Sequence, residues 1–139
     1  MAIQFSSHRT RFKLPNLKKT STWIEKVVKA ERRKIGSLSY VFCTDEYLLE
    51  INQQYLDHDT LTDIITFDYT EAGSNSLEGE IYISIERVRD NAKNLGIDFS
   101  LELKRVMVHG VLHLVGYKDK TSKEKKEMRG REDRYLKFV

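Results

Sequence analysis

The run His109-Gly110-Val111-Leu112-His113-Leu114-Val115-Gly116-Tyr117-Lys118-Asp119 organises the whole chain. Leading into and through it, Leu101, Leu103, Val106, Met107, Val108, Val111, Leu112, Leu114 and Val115 place apolar side chains on almost every side of a helix. A helix that is apolar nearly all round is buried inside its domain, so other layers must surround it. His109 and His113 stand four residues apart, on one helical face. In a buried setting the cationic imidazole is disfavoured, and the neutral ring is the form that binds metal. Gly116 can take the left-handed conformation that ends a helix and reverses the chain. That reversal can return Asp119 as a third ligand. Three protein ligands with a fourth position open suit a catalytic zinc ion, one per chain.

Working outward, the elements alternate between strand and helix patterns. Ala2 to Phe5 reads as a short strand, and Pro15-Asn16 as a loop. Thr22-x-x-Glu25 has the form of a capping box, opening a helix with Trp23, Ile24, Val27, Val28 and Ala30 inward and Gly36 at its end. Leu38 to Cys43 reads as a strand. Thr44 or Asp45 can cap a helix with Leu48, Ile51 and Tyr55 on one face. Ile64 to Tyr69 is a strand, Glu71 to Leu77 a polar turn, and Glu80 to Ser84 another strand. Ser84 caps a helix through Ile85, Val88, Ala92 and Leu95, closed by Gly96. Ser100 caps the histidine helix, and Thr121-x-x-Glu124 opens a charged last helix running toward Tyr135. This interleaving predicts an α/β or α+β layered domain. At 139 residues, one domain over positions 1–139 is expected.

Composition narrows the function classes. Hydrophobic content of 40% and charged content of 32% fit a soluble globular protein. No apolar run approaches the ~20 residues that span a membrane, and Met1 to Ser7 lacks a secretory pattern. The lone Cys43 cannot form an intrachain disulfide, and the default is core filler in a reducing compartment, hence a cytoplasmic protein. The net charge of +3 is unevenly spread. His8 to Lys34 holds ten Lys/Arg and two acids, Thr44 to Leu103 three bases and fourteen acids, and Lys118 to Lys137 nine bases and five acids. Basic ends of this kind can bind the phosphates of RNA, or simply form solvated faces.

The histidine spacing matches the H-E-x-x-H-x-x-G-x-x-H zinc peptidases with two changes. Gly110 stands where those enzymes carry their glutamate base, and Asp119 where they carry a third histidine. More specifically, the run resembles H-G-x-L-H-L-x-G-Y-x-(H/D), the signature of the YbeY family of zinc-dependent endoribonucleases. Tyr55-Leu56-Asp57-His58-Asp59-Thr60-Leu61-Thr62-Asp63-Ile64-Ile65-Thr66-Phe67 resembles that family's Y-R-x-K-D-x-P-T-D-V-L-S-F, and Gly79 to Ser84 its G-D-I-x-I-S strand. The blocks fall in the family's order. The first forty residues match no motif.

The resemblance implies a small mixed sheet, mostly parallel with one antiparallel edge. Helices would pack around it in a zincin-like arrangement, with the histidine helix central. It implies a single-strand-specific, metal-dependent endoribonuclease of ribosomal RNA maturation, acting on small-subunit precursor RNA with the small ribosomal subunit as partner. His109, His113 and Asp119 would be the zinc ligands. His58, Thr62, Asp63, Lys118 and Lys120 are candidate RNA contacts, with Asp63 equally readable as a turn cap and Tyr117 as packing. The chain departs from the pattern at Leu56, His58 and Leu61, which stand for arginine, lysine and proline. Arg87, Arg89 and Arg105 are available to supply the missing guanidinium, with nothing in their spacing to select one. Two other classes remain: a ribosome-assembly factor with a structural zinc, and a metallopeptidase.

An anionic third ligand leaves a bound ion less electropositive than three imidazoles do. We therefore predict that activity extends to higher pH than in an Asp119→His variant. Superimposable pH–rate profiles for the two proteins would contradict this.

Overall fold

The computed structural model describes residues 2–56 and 62–138. Its elements run β1 (Ile3–Ser7), α1 (Leu17–Ala30), β2 (Lys34–Cys43), α2 (Asp45–Leu56), β3 (Ile64–Asp68), β4 (Ser76–Ser84), α3 (Ile85–Leu95), α4 (Phe99–Val115) and α5 (Ser122–Leu136). The strands form one sheet in the order β1-β2-β4-β3. β1 and β2, and β2 and β4, pair in parallel. β3 pairs antiparallel with β4 at the edge, Ile64 opposite Ile83 and Thr66 opposite Ile81. This is the mixed sheet with one antiparallel edge that the resemblance implied.

Strand alternation sorts the side chains onto two faces. On one, Leu38, Tyr40 and Phe42 of β2 and Leu77, Ile81 and Ile83 of β4 join Trp23, Ile24, Val27 and Val28 of α1 and the apolar side chains of α4 in the main core. On the other, Cys43, Leu48, Ile51 and Ile65 form a smaller cluster under α2. Burial, then Asp45 and Glu86, push the Cys43 thiol up to about 12, so it is an inert core group.

The helix boundaries differ from the sequence reading where backbone geometry overrode a local pattern. Helix α1 starts five residues before Thr22. Asn16 adopts a left-handed φ of 54° and turns the chain straight into it. Thr22 is interior, its hydroxyl donating to the Lys18 carbonyl at 2.9 Å instead of capping. The same helix ends at Ala30, and Gly36 lies in β2 beside a register shift between Ile35 and Ser37. Leu77 is strand and fully buried rather than turn, because β2 extends back to pair Ile35 with it. Tyr55 and Leu95 are exposed. Asp98, not Ser100, precedes α4. The capping box at Thr121 is formed as read, with Glu124 accepting from the Thr121 amide at 3.0 Å and Thr121 from the Glu124 amide at 3.1 Å.

Two glycines set how closely α4 lies on the sheet. A Cβ on Gly79 of β4 would come within 2.7 Å of the Phe67 carbonyl oxygen and 3.1 Å of both Leu114 methyls. One on Gly110 of α4 would come within 2.9 Å of Ile64 Cδ1 and 3.0 Å of Ile81 Cγ2. Tyr40 then donates its hydroxyl to the Met107 carbonyl at 3.0 Å, tying β2 to the middle of the helix.

Because the Gly79 obstacle is backbone, it cannot swing aside. We predict that Gly79→Ala costs ~1–3 kcal/mol of stability, as overpacking does. Denaturant midpoints at constant m-value would measure it, and an unchanged midpoint would refute the close-approach argument.

Candidate metal centre

The last two turns of α4 carry His109 and His113 with ring centroids 4.5 Å apart. Their Nε2 atoms lie 2.9 Å from each other. Gly116, at φ 124°, ends the helix, its amide donating to the Leu112 and His113 carbonyls. A residue with a Cβ is strained at that φ. The reversal brings the Asp119 carboxylate to 3.2 Å from His109 Nε2 and 3.4 Å from His113 Nε2. An ion ~2.0–2.1 Å from each donor in tetrahedral geometry requires donors about 3.3 Å apart, so this triangle fits one. His109, His113 and Asp119 are the group of potential metal ligands found among the described residues. Their side chains keep 22%, 26% and 39% of their exposure, so the site faces solvent.

The outer nitrogens are already engaged. His109 Nδ1 lies 2.6 Å from Glu132 Oε2, and His113 Nδ1 donates to the Tyr117 carbonyl at 3.0 Å. Partners at Nδ1 hold each ring with Nε2 pointing at the shared point, the arrangement that supports metal-bound histidines. The same contacts separate the two rings electrically. For His109, burial alone would lower the pKa, but the hydrogen bond and charge of Glu132, with Asp119 and Asp63, raise it. His113 is lowered, by burial and by the charge of His109.

Each support has its own anchor. Glu132, buried on α5, also accepts from Arg105 of α4 at 3.0 Å, and Arg105 reaches Asp133 at 2.8 Å. Tyr117 donates its hydroxyl to Glu31 at 2.7 Å, and burial followed by that contact pushes it up to about 12, so it remains a donor. Glu31 also receives the Tyr135 hydroxyl and, at 3.0 Å, the Arg131 guanidinium, which lies 4.9 Å over the Tyr117 ring. Both anchors therefore run into α5.

The remaining sequence candidates divide. Asp63 is half-buried. Its carbonyl accepts from the Ser84 amide at 3.0 Å, and burial raises its carboxyl pKa against the opposing pull of His109. Among the described residues Thr62 makes a local turn contact with Ile64, at 3.2 Å. Lys118 and Lys120 are exposed on the loop either side of Asp119. His58 lies outside the described residues. Arg87 is paired with Asp45 at 2.8 Å, Arg89 lies 5.3 Å over the Phe99 ring, and Arg105 is committed as above. Sequence reading missed Glu132 and Glu31. The Met128-x3-Glu132-x2-Tyr135 spacing, which puts a carboxylate on the buried stripe of a charged helix, was the available signal for the first. Within the basic stretch Lys118 to Lys137 that the sequence offered for RNA phosphate, Lys125, Lys126 and Arg129 line a depression with Asp119 and Glu132.

The family described as Endoribonuclease YbeY matches residues 3–139 of this chain. A Flavobacterium psychrophilum protein named Endoribonuclease YbeY is 55% identical over 116 residues, covering 84% of this chain and 81% of the relative. One of the same name from Cytophaga hutchinsonii is 48% identical over 134 residues, covering 96% and 93%. A Thermotoga maritima protein solved in solution shares the fold with a TM-score of 0.70 and 30% identity, over 98% of this chain and 87% of that one.

If Glu132 orients His109, Glu132→Gln is expected to weaken metal binding about 10- to 100-fold. Competition against a chromophoric chelator, with a melting curve alongside, would measure it. Wild-type affinity in the variant would reduce Glu132 to a packing role.

Proposed function

This chain belongs to the YbeY family of endoribonucleases, and from that premise we propose that it cuts single-stranded RNA with one zinc ion held by His109, His113 and Asp119. We further propose that it is one domain over positions 1–139, working in the cytoplasm on small-subunit ribosomal precursor RNA. The small ribosomal subunit would be its partner, in 3′-end maturation and ribosome quality control. Among the described residues no helix is long and apolar enough to cross a membrane.

One observation carries the reading. Three donors converge at 2.9–3.4 Å, with both outer imidazole nitrogens already engaged, on a face open to solvent. A divalent ion there supplies polarisation of a phosphoryl oxygen and acidification of a water. The protein does the rest. Glu132 and the Tyr117 carbonyl keep the imidazoles aimed, and Asp119 neutralises charge. Asp63 is a further carboxyl near His109, its pKa raised by burial against the pull of that ring.

The alternatives fare less well on specific grounds. A structural zinc is closed by four protein ligands, whereas the described residues offer three in a half-exposed site. A peptidase of the H-E-x-x-H type needs glutamate at position 110, where the Gly110 Cα faces Ile64 and Ile81 of the sheet instead.

The test is cleavage of a labelled single-stranded RNA by metal-stripped protein, by protein with one equivalent of zinc, and by His113→Ala. Cleavage is expected only in the zinc-loaded wild type, with the variant slower by about 100-fold or more. Intact RNA in every sample, with zinc bound, would favour the assembly-factor reading.

A further inference from the structure

We propose that Lys125, Lys126 and Arg129 of α5 form a phosphate-binding subsite that holds the RNA backbone beside the metal centre. This rests on the endoribonuclease reading and assigns the substrate's contact to a surface that no sequence motif marks. Residues 125 and 129, and 126 and 129, are neighbours on one helical face. With Asp119 at one side and Glu132 at the base they border a shallow depression open to solvent.

The charge balance of that depression decides its ligand. Asp119 points its carboxylate at the two histidines. Glu132 has one oxygen on His109 and the other on Arg105, at 2.6 and 3.0 Å. Both acids are therefore taken up inside the centre, and three cations are left facing solvent. Lys125 and Lys126 have no ion pair within 4.0 Å among the described residues. Arg129 has one, a loose 3.9 Å contact to the Glu132 oxygen that Arg105 already holds at 3.0 Å.

Exposure separates the two arginines around Glu132. The Arg105 side chain is 17% exposed and bonded to two carboxylates. Arg129 is 60% exposed, free to swing its planar fork onto a phosphate, which guanidinium binds in bidentate fashion. The neighbouring acids do not compete. Glu124 is used by the capping box, Asp133 by Arg105, and Glu127 falls on the opposite side of the helix.

The experiment measures binding of labelled single-stranded oligouridine to the metal-free full chain across a salt series. Each phosphate contact on a single strand contributes about −0.7 to the slope of log K against log salt. Arg129→Ala should flatten the slope by about 0.7, and K125A/K126A by about 1.4. Arg129→Lys, which keeps the charge, should leave the slope unchanged. The control K18A/K19A, on α1, should also leave it unchanged. Metal affinity should stay within about twofold in Arg129→Ala, since Arg105 retains Glu132. Slopes unaltered by the α5 variants, or flattened equally by the α1 control, would overturn the subsite. The nuclease reading fails separately: zinc-loaded wild type that binds RNA with the full slope yet never cuts it would remove the activity and leave the subsite standing.

Discussion

The seating of α4 on the β3–β4 half of the sheet is the contact on which the rest depends. It buries Met107, Val108, Val111 and Leu112 completely, burial that stabilises by roughly 1.5–3 kcal/mol per large side chain. It also fixes the rotation of the helix. With Gly110 turned down onto Ile64 and Ile81, His109 must look sideways toward Glu132 of α5, and His113 lies one turn on with its Nε2 beside that of His109. The end of the helix is pinned as well. Arg33, just before β2, donates to the carbonyls of Ser74, Asn75 and Val115, so one guanidinium joins the β3–β4 turn to the last residue of α4. Gly116 and the turn that carries Asp119 follow directly from there.

Helix α5 completes what α4 begins. Its inward face carries Met128, Glu132 and Tyr135, one apolar, one ionic and one mixed contact. The Trp23 indole donates to the Tyr135 carbonyl at 2.8 Å, and Glu31 gathers Tyr117, Arg131 and Tyr135 into one node. Buried ionic nodes of this kind are weak sources of net stability, because desolvation offsets most of the attraction. Their effect here is geometric. Removing a partner leaves a buried charge, so the rotamers of His109 and Tyr117 have few alternatives.

Much of this was legible in the sequence because it is local. Two histidines at four residues, a glycine and an aspartate lie within eleven positions, and helix periodicity alone relates them. The Thr121 capping box is local too. The strands were found through their alternation, and the mostly parallel sheet with one antiparallel edge came with the family resemblance. What was not legible is long-range or conformational. Glu31 meets Tyr117 across 86 positions and His109 meets Glu132 across 23, and no window on the sequence holds both partners. Thr22-x-x-Glu25 was misread for the converse reason. Its pattern is genuine, but Asn16 could enter the left-handed region and start the helix earlier, so the hydroxyl found a carbonyl instead of an amide. Strand lengths erred where Leu77, surrounded by polar residues, was pulled into the sheet by its partner Ile35.

Gly110 shows how far apart two enzyme classes with nearly the same ligand spacing can stand. In the peptidase pattern the residue after the first histidine is the working base, while here it lies against Ile64 and Ile81 of the sheet. To place a carboxylate there, α4 would have to lift off Ile64 and Ile81, and the core beneath it would have to be rebuilt. The two chemistries are therefore separated by a layer spacing, and a side chain at position 110 would first have to displace the ends of Ile64 and Ile81.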